Sequence, residues 1–241
     1  MTGQQGEFAG KSVMVLGGSR GIGAAIVRHF AAAGAQLVFS YSASADAAAA
    51  IAAETGATAV KADSAVRDEV VAAVAMGGTL DIMVINAGVA IMGDPLTLDP
   101  DAVDRLFDIN IRAPYHAAVE AGRRMNDNGR IIIIGSVNGD RVGWAGATAY
   151  ATSKSAVQGL ARGLARDFGA RGITVNVVQP GPVDTDMNPA TGPLAKMMHA
   201  GMAIKRHATA DEVASLVLYL ASPAAAMITG TMQTIDGGAG I

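Results

Sequence analysis

Tyr150-Ala-Thr-Ser-Lys154 holds the side chains with the clearest capacity for chemistry. Residues four apart share one face of a helix, and the segment Ala147 to Phe168 has helical periodicity throughout, so the spacing predicts a phenol stacked beside an ammonium. An unperturbed phenol titrates near ~10, and a neighbouring positive charge favours the phenolate, which predicts a Tyr150 able to exchange a proton near neutral pH. A lone pair of this kind occurs by chance in many helices, so its meaning depends on its company. Ser136 stands just past the run Ile131 to Ile134, at the mouth of a candidate strand. Asn110 is a polar residue inside the apolar-periodic segment Val103 to Ala121, where packing alone would choose a hydrocarbon.

A second group of residues suits phosphate. Gly17-Gly18-Ser19-Arg20-Gly21-Ile22-Gly23 lies between an apolar run and the helix-period segment Ala24 to Ala33. Glycines let the backbone approach a pyrophosphate closely, and the following helix start offers free N–H groups and the positive end of its dipole. A dinucleotide site commonly places an acid about 20 residues further on to hold a ribose 2′-hydroxyl, but this chain has Phe39-Ser40-Tyr41-Ser42 there. With no carboxylate to repel a 2′-phosphate, and with Arg20 and the hydroxyls of Ser40 and Ser42 available to bind one, NADP is expected over NAD. Asp63-Ser64 and Asn86-Ala87-Gly88 follow the third and fourth apolar runs. In isolation each reads as a cap or a turn; together they mark strand ends where ligands bind in open α/β sheets.

The elements that must position these residues alternate. Val13–Leu16, Leu37–Ser40, Ala57–Lys61, Ile82–Ile85, Ile131–Ile134, Ile173–Val178 and Met232–Ile235 are apolar or β-branched runs, separated by longer helix-period segments. That pattern predicts an α/β fold: a Rossmann-like, doubly wound, seven-stranded parallel sheet with helices on both faces, as a single domain over residues 1–241. The stretch Gly192 to Gly201 is the least regular. A formal net charge of -3 with scattered Lys and Arg argues against a nucleic acid polymer as partner. The absence of cysteine excludes a disulfide scaffold and a thiolate nucleophile, and the four histidines lack metal-ligand spacing, so no metal is expected. The polar stretch Met1 to Lys11 lacks a signal-peptide core, and charges interrupt the alanine-rich runs well short of a membrane span, so a cytoplasmic protein with no membrane partner is expected.

Gly17-x3-Gly21-x-Gly23, Asn86-Ala87-Gly88, Asn110, Ser136, Tyr150-x3-Lys154 and Pro180-Gly181 stand in the order and approximate spacing of the short-chain dehydrogenase/reductase family, which the chain resembles over essentially its whole length. The resemblance implies that Tyr150 is the general acid/base, that Ser136 hydrogen-bonds a substrate carbonyl, and that Lys154 holds the nicotinamide ribose while lowering the pKa of Tyr150. It further implies that Asn110 holds a water in a proton relay, that Asp63 meets the adenine, and that Asn86 and Gly88 line the adenosine. Val183 and Thr185 would fix the carboxamide, with Ser19, Ile22, Ser64, Ala87, Pro180 and Gly181 also on the cofactor side. Two departures stand out: Gly17-Gly18 replaces the usual Thr-Gly, and the gap from Ser136 to Tyr150 is about one residue long, with Trp144 inside it.

The expected function is NADP(H)-dependent hydride transfer between nicotinamide and a small carbonyl or alcohol. Stretches such as Gly135 to Arg141 and Ala203 to His207 are similar to bacterial family members that bind cyclic di-GMP in biofilm dispersal, which makes that dinucleotide a second expected ligand, with Arg141, Lys205 and Arg206 as added positive charge. Reduction of a carrier-bound 3-oxoacyl group is a third reading. It is disfavoured because Asn126-Asp127-Asn128 replaces the basic cluster of such enzymes and leaves Arg171 alone. The resemblance also implies a homotetramer, through Val103 to Ala121, Ala147 to Phe168 and Met232 to Ile241.

Overall fold

Seven strands, β1 (Ser12–Leu16), β2 (Gln36–Tyr41), β3 (Thr58–Lys61), β4 (Leu80–Ile85), β5 (Met125–Ile134), β6 (Thr174–Pro180) and β7 (Met232–Ile235), pair in the order β3-β2-β1-β4-β5-β6-β7. Every pairing is parallel. The computed structural model describes residues 6–241, so the first five residues of the polar N-terminal stretch lie outside the described residues. The helices are α1 (Gly21–Ala32), α2 (Ala45–Thr55), α3 (Arg67–Ala75), α4 (Pro100–Phe107), α5 (Ala113–Arg124), α6 (Thr148–Phe168), α7 (Ala195–Gly201) and α8 (Ala210–Ala221).

Side chains along a strand alternate between faces, and here both faces are covered. Val13, Val15, Phe39, Val84 and Ile132 pack with Ile26 and Phe30 of α1 and Val217 of α8. Met14, Leu16, Met83, Ile131 and Ile133 pack with Val74 of α3, Ala117 of α5 and Val157 of α6. Each large side chain buried this way contributes roughly 1.5–3 kcal/mol. The strand order reverses between β1 and β4, which opens a crevice at the carboxyl ends of the strands.

Most strand ends fall within two residues of the sequence reading, and three features depart from it further. β5 starts six residues early, because Met125 pairs with Leu80 across an irregular register and Asn128 turns with a left-handed φ of 62°. Gly192 to Gly201 is mostly regular, since its last seven residues are α7, closed by Lys205 Nζ donating to Ala200 O (2.9 Å) and Met202 O. The segment Val103 to Ala121 is interrupted by a wide π-helical turn at Asp108–Arg112.

Candidate active site

The glycine turn is shaped by close approaches that exclude side chains. Gly17 has φ +83°, and a Cβ there would lie 2.8 Å from Ala87 Cα. A Cβ on Gly23 would strike the Gly17 carbonyl and lie 2.5 Å from Asn86 Nδ2. Hydrogen bonds from both neighbouring strands hold the turn: Asn86 Nδ2 donates to Gly17 O (2.6 Å), and Gly17 N donates to Ser40 Oγ (2.9 Å). Beyond it α1 opens with Gly21, Ile22 and Gly23, whose N–H groups have no partner within the helix and face outward as a cradle for an anion. Ser19 and Arg20 complete the rim.

Ser40 does not take the place expected of it. It is 1% exposed and its hydroxyl accepts the Gly17 N–H, so it braces the turn from beneath instead of meeting a 2′-phosphate. Arg20 remains available: its side chain is 60% exposed and its one ion pair, with Asp186, is long at 3.8 Å. Ser42 is exposed just past β2, beside the half-buried Tyr41. Asp63, past β3 with Ser64, accepts Ala65 N (2.9 Å) and both oxygens meet Arg105 Nη2 (3.1 and 2.9 Å). The Ala65 amide and the guanidinium, opposed by burial, hold its carboxyl below the usual range. An adenine contact at Asp63 therefore shares the residue with an existing ion pair.

Ser136 ends the extension of β5, and Tyr150 and Lys154 lie in the first two turns of α6. Lys154 Nζ sits 5.7 Å from the centre of the Tyr150 ring and donates to Ile134 O at 3.1 Å. Burial lowers the Lys154 pKa from 10.5 to about 8. The Tyr150 phenol moves the other way from the sequence expectation: burial pushes it up, and the Ser136 hydroxyl pulls it partly back. Removing a phenolate from water outweighs an ammonium that is itself buried and lies beyond contact distance of the ring centre. Gly88 leaves room here, because a Cβ on it would stand 3.4 Å from both Lys154 Nζ and Asn110 Oδ1.

Asn110 is 2% exposed within the π-helical turn. Its amide clasps the backbone after β4, accepting Val89 N (2.9 Å) and donating to Val89 O (2.8 Å), and it also donates to Ser153 Oγ (3.0 Å). Ser153 donates in turn to the carbonyl of Tyr150 (2.7 Å). The Asn110 side chain is thus an anchor between loop and helix, not a free ligand for the expected water. Ser153 was missed from sequence; its signal was a small polar residue on the inner face of the helix, one position before Lys154. Pro180, the last residue of β6, is buried; past it Gly181 backs onto Asp236 with 2.7 Å to its Cβ from a would-be side chain, and Val183 pairs with Ala208. Thr185 Cγ2 lies 3.2 Å from where a Gly21 side chain would begin, so this loop closes over the glycine turn.

The basic residues expected to add charge for a second ligand are engaged elsewhere. Arg141 donates to Ile241 O (2.8 Å), Lys205 closes α7, and Arg206 pairs through two nitrogens with Glu212 (2.8 and 2.6 Å). Arg171, the remnant of a carrier-docking patch, pairs with Asp127 (2.9 Å) and donates to Gly122 O (2.6 Å) and Met125 O. Among the described residues no cluster of three metal-ligating side chains occurs and no helix is long and apolar enough to cross a membrane.

Residues 17–240 match a family model described as enoyl-(acyl carrier protein) reductase. The chain is 62% identical over 235 residues to the cyclic-di-GMP-binding biofilm dispersal mediator protein of Escherichia coli K12, covering 98% of this chain and 99% of that protein. Its fold is similar to the crystal structure of BdcA in complex with NADPH, with TM-score 0.95, 62% identity, and 97% and 96% of the two chains covered. A short-chain dehydrogenase from Burkholderia cenocepacia J2315 in complex with NADP is similar with TM-score 0.96 and 45% identity, over 98% of this chain and all of that one. Likeness of this extent takes in the glycine turn, the Tyr-Lys helix and the loop past β6 together: the chain belongs to the short-chain dehydrogenase/reductase family of oxidoreductases.

Proposed function

We propose that the protein reduces a small carbonyl compound with NADPH, and that residues 1–241 act as one domain carrying both the cofactor and substrate sites. The observation that carries this reading is Lys154: a buried ammonium with one hydrogen-bond acceptor, held beside a half-buried phenol. An ammonium has three donors, so two remain for ribose hydroxyls. The glycine turn suits a pyrophosphate because Gly17 and Gly23, where a Cβ would strike Ala87 or Gly17 O and Asn86, let the backbone pack tightly under the start of α1 and leave its N–H groups open. Arg20 suits a 2′-phosphate, and relatives of similar fold are complexes with NADPH or NADP.

Bound NADPH supplies a hydride. Burial keeps Tyr150 protonated at neutral pH, the form that donates, and its proton passes to the carbonyl oxygen as charge gathers there. The Ser136 hydroxyl hydrogen-bonds the same oxygen. Lys154, with a pKa of about 8, is mostly protonated at pH 7 and holds the cofactor side in place. Asn110, through Ser153, keeps the first turn of α6 fixed to the loop after β4. The test is NADPH oxidation against a carbonyl panel by the wild-type protein and Tyr150→Phe, which is expected to bind NADPH normally and turn over about 10²–10⁴ more slowly. Normal turnover by the variant would overturn the assignment.

Cyclic di-GMP binding is a second reading, favoured by the name of the Escherichia coli relative. With Arg141, Lys205 and Arg206 engaged, such a ligand would rely on the glycine turn and Arg20, and would compete with NADPH; the same panel run with cyclic di-GMP present tests this. A carrier-bound acyl substrate is disfavoured by the engagement of Arg171. We further propose a cytoplasmic homotetramer, supported by a groove of about 340 Å³ between α5 and α6 lined by Tyr115, Val119, Leu164 and Phe168. Light scattering at micromolar concentration tests it, and a monomer would overturn it.

A further inference from the structure

The Ser136 hydroxyl heads a three-residue 3-10 turn, Val137–Gly139, and accepts Asn138 N (3.2 Å); that local cap shapes the turn but does not fix its place against the neighbouring elements. What holds it comes from outside. Asp140 Oδ1 accepts Gln158 Nε2 of α6 at 2.7 Å, and Oδ2 accepts Gln179 Nε2 of β6 at 2.7 Å. The same Gln179 nitrogen reaches Ser136 O at 3.2 Å. Gly139 is pressed against α6, since a Cβ on it would lie 2.7 Å from Gln158 Nε2 and 2.8 Å from Lys154 O, and Ser155 Oγ donates to Gly139 O at 2.7 Å. Both glutamines are buried, and Gln179 Oε1 has no partner at all. A buried acceptor left unsatisfied is costly, so a hydrocarbon would serve β6 better if packing were the only demand. The chemistry assigned above to Ser136, Tyr150 and Lys154 gives these three residues nothing to do.

We propose that Asp140 is a positioning residue: its carboxylate, shared between Gln158 and Gln179, locks the turn to α6 and β6 so that the Ser136 hydroxyl stays in register with Tyr150. The proposal rests on the reading of Ser136 and Tyr150 as the groups that meet the carbonyl. A carboxylate suits the place because it accepts on both oxygens and donates on neither. It also fixes the orientation of Gln179, whose flip would turn Oε1 against the carboxylate and against Ser136 O. Two roles for Asp140 predict opposite signs at Tyr150. If it acts through the turn, its loss lets Ser136 drift and raises the phenol pKa, because the Ser136 hydroxyl lowers it. If it acts as a bare charge, its loss favours the phenolate and lowers that pKa. The Lys154 ammonium, the other charge beside the ring, is unchanged in either case.

The experiment uses the full chain carrying Asp140→Ala or Asp140→Asn, each alone and combined with Ser136→Ala. The Tyr150 phenol is titrated by tyrosinate absorbance, with the Tyr150→Phe protein subtracted to remove Tyr41, Tyr115 and Tyr219. Asp140→Ala is expected to raise the phenol pKa, with no further rise in the Ser136→Ala background. In parallel, kcat with a carbonyl substrate is expected to fall about 10-fold for Asp140→Ala and by less for Asp140→Asn, with NADPH affinity unchanged, and by under about 2-fold in the Ser136→Ala background. A lowered phenol pKa, or equal losses in both backgrounds, overturns the proposal. If the wild-type protein turns over no carbonyl, the reductase reading fails by itself, and the phenol titration still decides the role of Asp140.

Discussion

Replacing Lys154 by Met is expected to make the folded protein more stable at neutral pH while removing its activity. The side chain is 7% exposed, and burial lowers its pKa from 10.5 to about 8. A cation whose folded pKa lies below its unfolded one is harder to protonate in the fold, so it weakens the fold wherever it must carry its proton. The penalty is full below about pH 8, shrinks as pH rises towards 10.5, and vanishes above that. At pH 7 it amounts to about 3 kcal/mol, and near pH 9.5 to about 1 kcal/mol. Methionine has similar length and no charge, but it gives up the bond to Ile134 O, which costs about 1 kcal/mol. The net expectation is a gain of about 2 kcal/mol at pH 7 and almost none near pH 9.5. Urea unfolding of both proteins at equal concentration, at the two pH values, measures it. A variant less stable than wild type at pH 7, or a difference that does not shrink with pH, would refute the reasoning.

Two further substitutions separate the residues around the phosphate cradle. Arg20→Ala is expected to weaken NADPH binding by roughly 1.5–3 kcal/mol and leave NADH almost unchanged, which titration of both cofactors checks. Ser40→Ala leaves the Gly17 N–H without its acceptor, so it is expected to cost about 1–3 kcal/mol of stability and to weaken both cofactors equally, as read from urea unfolding and the same titrations.

The sheet was legible because buried parallel strands write themselves as apolar runs, and the Tyr150-Lys154 spacing was legible because a helix has a fixed period. The polar start of β5 escaped because before Arg130 only Met125 pairs with β4, at Leu80, and Asn126, Asp127 and Asn128 lie within the register shift, which their types do not announce. Ser40 was correctly placed at a strand end, but which way its hydroxyl turns is decided by a glycine 23 residues away. The Arg105–Asp63 pair joins residues 42 apart, and nothing local marks either for the other. The acidity of Tyr150 was misjudged because neighbours along a helix can be read from spacing, whereas burial is a property of the assembled fold.

The π-helical turn at Asp108–Arg112 constrains how the length of this chain can change. Before it, Leu106 is buried on α4; after it, Ala113, Ala117 and Ala121 are buried on α5, so the rotational setting on both sides is fixed by packing. Deleting one residue would let a regular α-helix run through with better local hydrogen bonding, and because the wide turn absorbs the extra residue within nearly the rotation and rise of one α-helical turn, the flanking helices would keep their faces. The alanines of α5 would stay on the sheet, while Asn110, inside the turn, would leave Val89 and Ser153. Packing of α4 and α5 therefore does not by itself preserve the extra residue; the placing of Asn110 against Val89 and Ser153 does, and the turn should persist in lineages that keep that asparagine.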